Sequence, residues 1–166
     1  MSERATKYPR RSRDVLDLVA FLVLCLAVSG IGAAVTATSV GTWYQALHKP
    51  AFNPPDWIFA PVWTTLYILM AIAGWRVWRQ AGFETGRKAL TVFMVQLALN
   101  LAWSFIFFGQ QRIGLALIEI AILLLVIIAT TVLFWRIDRW AGVLFLPYVL
   151  WVAFATVLNA SLWWLN

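Results

Sequence analysis

The sequence predicts an all-α membrane protein, a bundle of five transmembrane helices in one domain. Of the 166 residues, 63% are hydrophobic and only 12% are charged, an apolar share well above that of soluble domains. Five segments are almost free of charge, and each is long enough to cross a hydrocarbon core of about 30 Å as a helix. The predicted spans are approximately 15–40, 57–78, 88–109, 113–135 and 140–164.

The N-terminal stretch differs in composition from the rest of the chain. Residues 1–13 include five basic side chains and no long apolar run, so we expect a flexible tail ahead of the membrane domain at 14–166. The first span is longer than the apolar region of a cleavable signal, and we expect it to be retained. Cys25 is the single cysteine, which excludes an intramolecular disulfide and a cysteine cluster.

The connection at 41–56 is the only long one between predicted spans. Short links join the other spans, so sequence neighbours should pack antiparallel. Residues 41–56 hold three of the six prolines together with large aromatic side chains. Prolines prevent a regular helix and stiffen the backbone, while aromatic faces suit a covering role. We interpret this segment as a lid over a binding site.

The basic residues lie mostly on one side of the predicted membrane. Eleven of the 13 lysines and arginines fall in the tail or flank the links between spans two and three and between spans four and five. The positive-inside rule therefore predicts the N-terminus inside, and the lid and C-terminus outside. The net charge of the chain is +6. Its basic residues lie in three segments that flank the membrane, where anionic lipid headgroups account for them, so nucleic-acid binding is not expected.

Helical spacing gathers aromatic and amide side chains onto one face of three spans. The stripes are Trp63, Tyr67, Met70 and Gly74; Gln96, Asn100, Trp103 and Phe107; and Pro147, Trp151, Ala155 and Asn159. An unpaired amide costs several kcal/mol in hydrocarbon, so the amides should point inward, where they either lock helices together or contact a ligand. The deeper tryptophans of the three stripes suit a planar apolar ligand.

The first span also has a ridge of small side chains, at Ser29, Ala33 and Ala37. Such ridges allow membrane helices to approach closely. We interpret the ridge as a packing face within the chain in preference to a dimer seam.

Two single titratable residues are candidates for chemistry. Glu119 is the only acid that interrupts the long apolar run of a predicted span, and it is either a functional group or a structural one that is neutral or reaches the interface. His48 is the only histidine; alone it cannot form a structural metal site, although it could be an axial ligand of a bound metalloporphyrin. No metal site is predicted, and no hydrolase, phosphate-loop or dinucleotide motif is present.

Three motifs give the chain a resemblance to a known family. They are WYQALHKPAFNPPDWIFAPVWTTLY at 43–67, NLAWSFIFF at 100–108 and DRWAGVLFLPYVLWVAFATVLN at 138–159. On these motifs the sequence resembles a bacterial member of the TspO/MBR family. That family includes the tryptophan-rich sensory proteins and the mitochondrial translocator protein, or peripheral-type benzodiazepine receptor.

The resemblance implies a five-helix membrane bundle, often a homodimer, with a pocket under the first loop. This pocket would bind protoporphyrin IX, haem intermediates and benzodiazepine-site ligands; none is an obligatory cofactor. Carrying the family's pocket onto matching positions, and adding the deep tryptophan of the third span, gives a candidate ligand-binding set. It comprises Trp43, Tyr44, Pro54, Trp63, Tyr67, Asn100, Trp103, Trp151 and Ala155.

Three functions are compatible with these features. The leading one is an integral membrane protein that binds and senses a tetrapyrrole, with a regulatory or transport role. A light- and oxygen-dependent porphyrin-degrading enzyme is an alternative, for which the resemblance implicates Trp63 and Trp151. A porphyrin or sterol transporter is another, although the chain ends ASLWWLN, without the tyrosine and basic residue of the family's cholesterol-recognition pattern, which argues against sterol binding there.

Overall fold

Helices make up most of the part of the chain that the structure describes, residues 10–166. In this computed structural model, the helices are α1 at Arg10–Ala37, a short α2 at Trp43–Ala46, α3 at Asp56–Ser104, α4 at Ile113–Ile137 and α5 at Arg139–Leu165. A π-helical turn at Phe105–Gly109 continues α3. The described residues contain no β-strand, so the predicted all-α class is confirmed.

Two segments differ from the predicted boundaries. Helix α1 begins at Arg10, so the end of the predicted tail is helical, while residues 1–9 of that tail lie outside the described residues. The predicted lid at 41–56 contains the short helix α2. Its prolines all follow position 49, and therefore they stiffen only the second half of the lid.

Helix α3 consists of two arms that are joined at Gly82. This glycine has φ 62° and ψ −169°, a left-handed conformation that costs glycine little because it has no Cβ. It separates a first arm, 56–81, from a second arm, 83–104. The predicted short link between the second and third spans is thus reduced to a break at one residue, because the glycine alone reverses the chain and helix continues on both sides.

The two arms lie antiparallel. The Tyr67 hydroxyl donates to Asn100 Oδ1 at 2.6 Å, and one helical turn further the Gln96 amide lies 3.7 Å from the sulfur of Met70. Higher residue numbers on the first arm therefore pair with lower residue numbers on the second arm. Together with α1, α4 and α5, the arms give the bundle five long helical segments.

Four helices of the described chain are long and apolar enough to cross a membrane. They are Arg13–Ala37, Asp56–Gly109, Ile113–Ile137 and Arg139–Leu165. The predicted count of five spans is not confirmed by length and composition, because α3 and its π-helical turn form one continuous apolar unit of 54 residues. The four long apolar helices agree with the membrane protein that the sequence predicts.

Tight aromatic packing fills the end of the bundle that contains Gly82 and the α4–α5 link, which we call the basic end. Phe93, Phe134 and Phe145 are fully buried, with ring centroids 5.7 Å apart for the first two and 5.1 Å apart for the last two. At Gly142 a Cβ would meet Trp135 atoms at 2.5–2.9 Å. The helices at this end are therefore closely interlocked.

Asp138 joins three elements at the basic end. Its side chain accepts hydrogen bonds from the backbone N–H groups of Trp140 and Ala141, which caps α5 at a helix end that otherwise has unpaired donors. The same carboxylate forms a salt bridge of 2.8 Å with Arg76 of the first arm.

The lid closes the opposite end, which we call the lid end. The Tyr44 hydroxyl donates to Asn53 Oδ1 at 2.9 Å across the lid. The backbone N–H of His48 donates to Asn166 Oδ1 at 2.9 Å, and Asn166 Nδ2 donates to the His48 carbonyl at 3.0 Å. These bonds fasten the lid to itself and to the end of α5.

Candidate functional site

A cavity of about 350 Å³ lies under the lid and is bordered by α1, both arms of α3, the π-helical turn and α5. Its volume falls within the range of roughly 300–1,000 Å³ that is usual for small-molecule sites. Seven of the nine predicted binding residues line it: Tyr44 from the lid, Trp63 and Tyr67 from the first arm, Asn100 and Trp103 from the second arm, and Trp151 and Ala155 from α5.

The other two predicted residues lie outside the cavity wall. Trp43 packs edge-on against Phe107, with ring centroids 5.5 Å apart, so it supports a wall residue from behind. The carbonyl of Pro54 accepts a hydrogen bond from the Asn53 side chain. Pro54 therefore shapes the lid and does not face the cavity.

Aromatic rings form two sides of the cavity. Trp63 and Trp151 are perpendicular, with centroids 6.5 Å apart, and Tyr67 lies 6.0 Å from Trp63. On the other side Trp103 stacks on Phe107 at 4.9 Å with an interplanar angle of 20°. Such walls offer a planar ligand both faces and edges to pack against.

A series of buried hydrogen bonds connects the helices beside the aromatic rings of the cavity. Tyr67 donates to Asn100 Oδ1, and Asn100 Nδ2 donates to the Tyr148 hydroxyl at 2.7 Å. Tyr148 in turn donates to Gln96 Oε1 at 3.0 Å. In this series of hydrogen bonds, the Gln96 side chain links the second arm to α5. The Asn100 side chain also links these two helices, and in addition it borders the cavity.

Sequence reasoning missed Tyr148, which is completely buried. The predicted stripe on α5 began one residue earlier, at Pro147, which the structure leaves exposed. The stripes on the other two spans follow the spacing i, i+4, i+7, i+11, and the same spacing identifies the buried face of α5. On α5 that spacing gives Tyr148, Val152, Ala155 and Asn159.

Asn159 joins α5 to its neighbours at the lid end. Its Oδ1 accepts from the Trp103 indole at 3.1 Å, and its Nδ2 donates to the Ile113 carbonyl at 3.0 Å. Both polar ends of this amide are thus satisfied by the protein, and the Trp103 indole is fixed in orientation.

The Trp151 indole differs from that of Trp103. Its N–H is buried and has no hydrogen-bond partner among the described residues. Trp151 also borders a shallow apolar groove on the outside of the bundle, between Pro61 and Leu66 of the first arm and Phe154 of α5. A buried unpaired donor is costly, which sets the Trp151 indole apart from the satisfied indole of Trp103.

The small-residue ridge of α1 has a different role from the predicted one. Ser29, Ala33 and Ala37 line the cavity, and Ala33 and Ala37 are exposed. The close helix contact is made instead by the buried Gly32, where a Cβ would lie 3.4 Å from the Ser104 hydroxyl. The packing interpretation is therefore wrong for the two alanines.

Tyr44 connects the lid to the cavity. Its ring is buried, and Lys49 Nζ lies 4.7 Å from the ring centroid on the lid. Burial first, and the nearby Asp56 carboxylate second, raise the pKa of Tyr44 to about 12, while the hydrogen bond with Asn53 acts in the opposite direction. The phenol is therefore neutral, and it donates, throughout the physiological range.

The two single titratable residues lie away from the cavity wall. Glu119 is buried, and neither carboxyl oxygen has a hydrogen-bond partner among the described residues. His48 is exposed in the lid, where its backbone is held by Asn166. Within residues 10–166 no group of three or more His, Cys, Asp and Glu side chains could hold a metal ion.

Comparison with known proteins identifies the family of this chain. Residues 21–165 match the TspO/MBR family. The chain is 41% identical to Protein CrtK of Rhodobacter capsulatus, over 91% of this chain and 95% of the relative. It is 39% identical to the tryptophan-rich protein TspO of Archaeoglobus fulgidus, over 92% and 99%, and 40% identical to the human translocator protein, over 73% of each. The chain is an integral multi-pass membrane protein, and it belongs to the TspO/MBR family.

Proposed function

We propose that the cavity binds a planar, largely apolar tetrapyrrole, and that the protein senses this ligand. The observation that carries the proposal is the adjacent pair of Trp63 and Trp151 on one side of a cavity of about 350 Å³. Burial of aromatic surface would provide most of the affinity. The names of two relatives, tryptophan-rich sensory protein and translocator protein, are consistent with a ligand-responsive membrane protein.

The polar groups of the cavity narrow the ligand class. The hydroxyls and amides that border it are mostly engaged with one another, as in the bonds of Tyr67, Asn100 and Trp103. Among the fully buried side-chain N and O atoms of the cavity residues, the Trp151 N–H is the one without a partner in the described part of the chain. A ligand with a large π surface and a few acceptor atoms matches this inventory, and protoporphyrin IX has both.

We also infer that the bundle crosses the membrane five times, with its basic end inside. The two arms of α3 are antiparallel, and each is long enough to cross the hydrocarbon core. The basic end carries most of the lysines and arginines. In a Cys25→Ala background, a membrane-impermeant maleimide added to intact cells should label Ala51→Cys in the lid and spare Thr85→Cys beside Gly82. The reverse pattern would contradict this orientation.

The binding proposal is tested by titrating protoporphyrin IX against the protein in lipid nanodiscs and following tryptophan fluorescence. Trp151→Ala removes one ring and the free N–H, so affinity should fall about tenfold, equivalent to roughly 1.4 kcal/mol. Trp164→Ala is the matched control, because Trp164 is 83% exposed and far from the cavity wall. Equal affinity of the Trp151→Ala protein and the wild type would argue strongly against this pocket.

A second candidate function is light-dependent porphyrin breakdown by molecular oxygen. It is favoured by the two indoles, Trp63 and Trp151, which face one cavity and could be oxidised beside an excited porphyrin. Illuminated wild-type protein should then bleach protoporphyrin faster than the Trp63→Phe, Trp151→Phe double variant does. Equal bleaching rates at equal occupancy would leave binding and sensing alone.

A further inference from the structure

Helix α1 changes partners along its length. Near the basic end it packs on the first arm of α3, where the Trp75 indole donates to the Asp14 carbonyl at 2.9 Å. A Cβ at Gly74 would lie 2.8 Å from the Phe21 ring, so the two helices cross very closely there. The first arm and α1 are therefore held together at this end.

Near the lid end, α1 packs on the second arm and the π-helical turn instead. Gly32 faces Ser104 of the second arm, and Ser39 Oγ donates to the Phe108 carbonyl at 2.7 Å in a buried contact. Because α1 approaches the first arm at one end and the second arm at the other, it diverges from the first arm at the level of the cavity.

The side chains along this divergence are small and exposed. Ala33 and Ala37 of α1, and Ala60 and Thr64 of the first arm, all border the cavity and are all exposed. By contrast, the cavity residues on the second arm and α5 are buried or half-buried. The cavity thus has a side opening between α1 and the first arm, within roughly 12 Å of helix rise from Asp56, where it faces lipid.

The lid, by contrast, is fastened. His48 and Asn166 exchange two hydrogen bonds, Tyr44 bonds to Asn53, and the Gln45 amide bonds to the Asp56 carboxylate at the start of the first arm. A ligand that enters from water would have to break these contacts. A ligand dissolved in the bilayer would meet only the small side chains of three alanines and Thr64.

We propose that the gap between Ala33 and Ala37 on α1 and Ala60 and Thr64 on α3 is a lateral gate, through which the ligand passes directly between the lipid and the cavity. The inference rests on the proposed function, since it concerns the same cavity. It assigns the ligand class more narrowly: molecules that partition into the bilayer leaflet on the lid side. The closed lid then serves to exclude water and not to admit ligand.

The gate is tested by kinetics, because a barrier in the path slows binding and release together and leaves the equilibrium unchanged. Protoporphyrin IX is preloaded into nanodisc lipid, and tryptophan quenching is followed after mixing with protein-bearing nanodiscs. Because Ala33 and Ala60 border the cavity, the deciding rate is that of release. Ala33→Leu and Ala60→Leu should each lower the dissociation rate roughly tenfold, whereas a loss of cavity volume alone would weaken binding and raise that rate. Ala34→Leu is the matched control, since Ala34 is exposed but does not border the cavity.

A locked lid provides the opposite arm of the test. In a Cys25→Ala background, His48→Cys and Asn166→Cys are joined by a short flexible bismaleimide, and both rates should remain as in the uncrosslinked protein. Slowing by the crosslink, with no effect of Ala33→Leu and Ala60→Leu, would overturn the gate while leaving the binding function intact. Absence of quenching in the wild type would instead overturn the proposed ligand.

Discussion

The two ends of the bundle are built from the same residue types and differ in how those residues pack. At the basic end Phe93, Phe134 and Phe145 fill the space between helices completely. At the lid end equally large rings, including Trp63 and Trp103, border an open volume of about 350 Å³. The difference shows that aromatic content by itself does not create a binding site. What matters is whether neighbouring backbones approach closely enough to interlock the rings.

Glycine and polar groups decide that approach. Gly74 and Gly142 bring helices into contact at the basic end, where a Cβ would collide with an aromatic ring. At the lid end, hydrogen bonds hold helices at fixed positions, as when Asn159 links Trp103 to Ile113. A close-packed core resists volume change, whereas a hydrogen-bonded frame keeps its cavity.

The largest expected effect is on stability at the basic end. Phe93→Ala removes a ring that contacts Phe134 at 5.7 Å and Phe145 at 6.1 Å, and it should lower the free energy of unfolding by about 3–5 kcal/mol. Protoporphyrin affinity of the folded fraction should not change. The neighbouring Met94→Ala, at a side chain that is 46% exposed, is the control for thermal unfolding in nanodiscs. Equal destabilisation by both variants would contradict the division into two ends.

The next effect concerns the hydrogen bonds beneath the cavity. Asn100→Leu leaves the Tyr67 hydroxyl without its acceptor, and the free energy of unfolding should fall by about 1–3 kcal/mol. Adding Tyr67→Phe removes the orphaned hydroxyl, so the double variant should recover part of that loss. The measurement is a double-mutant cycle of thermal unfolding. Strict additivity would mean that the Tyr67–Asn100 bond contributes nothing to the frame.

Replacement of Glu119 should give an effect of opposite sign and no larger size. Its carboxyl group is buried without a partner among the described residues, and removal of an unpaired buried polar group relieves a desolvation cost of about 1–3 kcal/mol. Glu119→Met should therefore raise the unfolding temperature, while Glu119→Gln, which keeps a polar group, should not. A loss of ligand response in a stabilised Glu119→Met protein would assign the residue a functional role instead.

The smallest effect is confined to the lid and depends on pH. The pKa of Tyr44 is raised to about 12 in the folded lid, against about 10 for a free tyrosine, so the folded lid holds its proton more tightly than the unfolded lid. The stabilisation is complete below pH 10 and is lost as the pH rises towards 12. Proteolysis of the lid should therefore accelerate over that interval in wild type. In Tyr44→Phe this step should be absent, and a step of equal size there would contradict the assignment.

Much of the site was accessible from sequence, and particular residues show why the rest was not. The stripe on the first arm placed Trp63, Tyr67 and Met70 on one face, because helical spacing is local. The stripe on α5 missed Tyr148 by one position. Several residue spacings are compatible with one face of a helix, and only the contact with Asn100 on another helix shows which of them faces inward. Trp43 and Pro54 were placed on the cavity by the family resemblance, but lid geometry depends on contacts with distant residues such as Asn166.

The sequence by itself determined that this is a helical membrane protein of the TspO/MBR family, because hydrophobic length, charge placement and local motifs are properties of consecutive residues. Tertiary structure decided the reversal at Gly82, the shift of the α1 contact from Ala33 to Gly32, and the side opening of the cavity. Each of these depends on how far apart two helices lie. That distance is set by side chains from both partners, which a single segment does not specify.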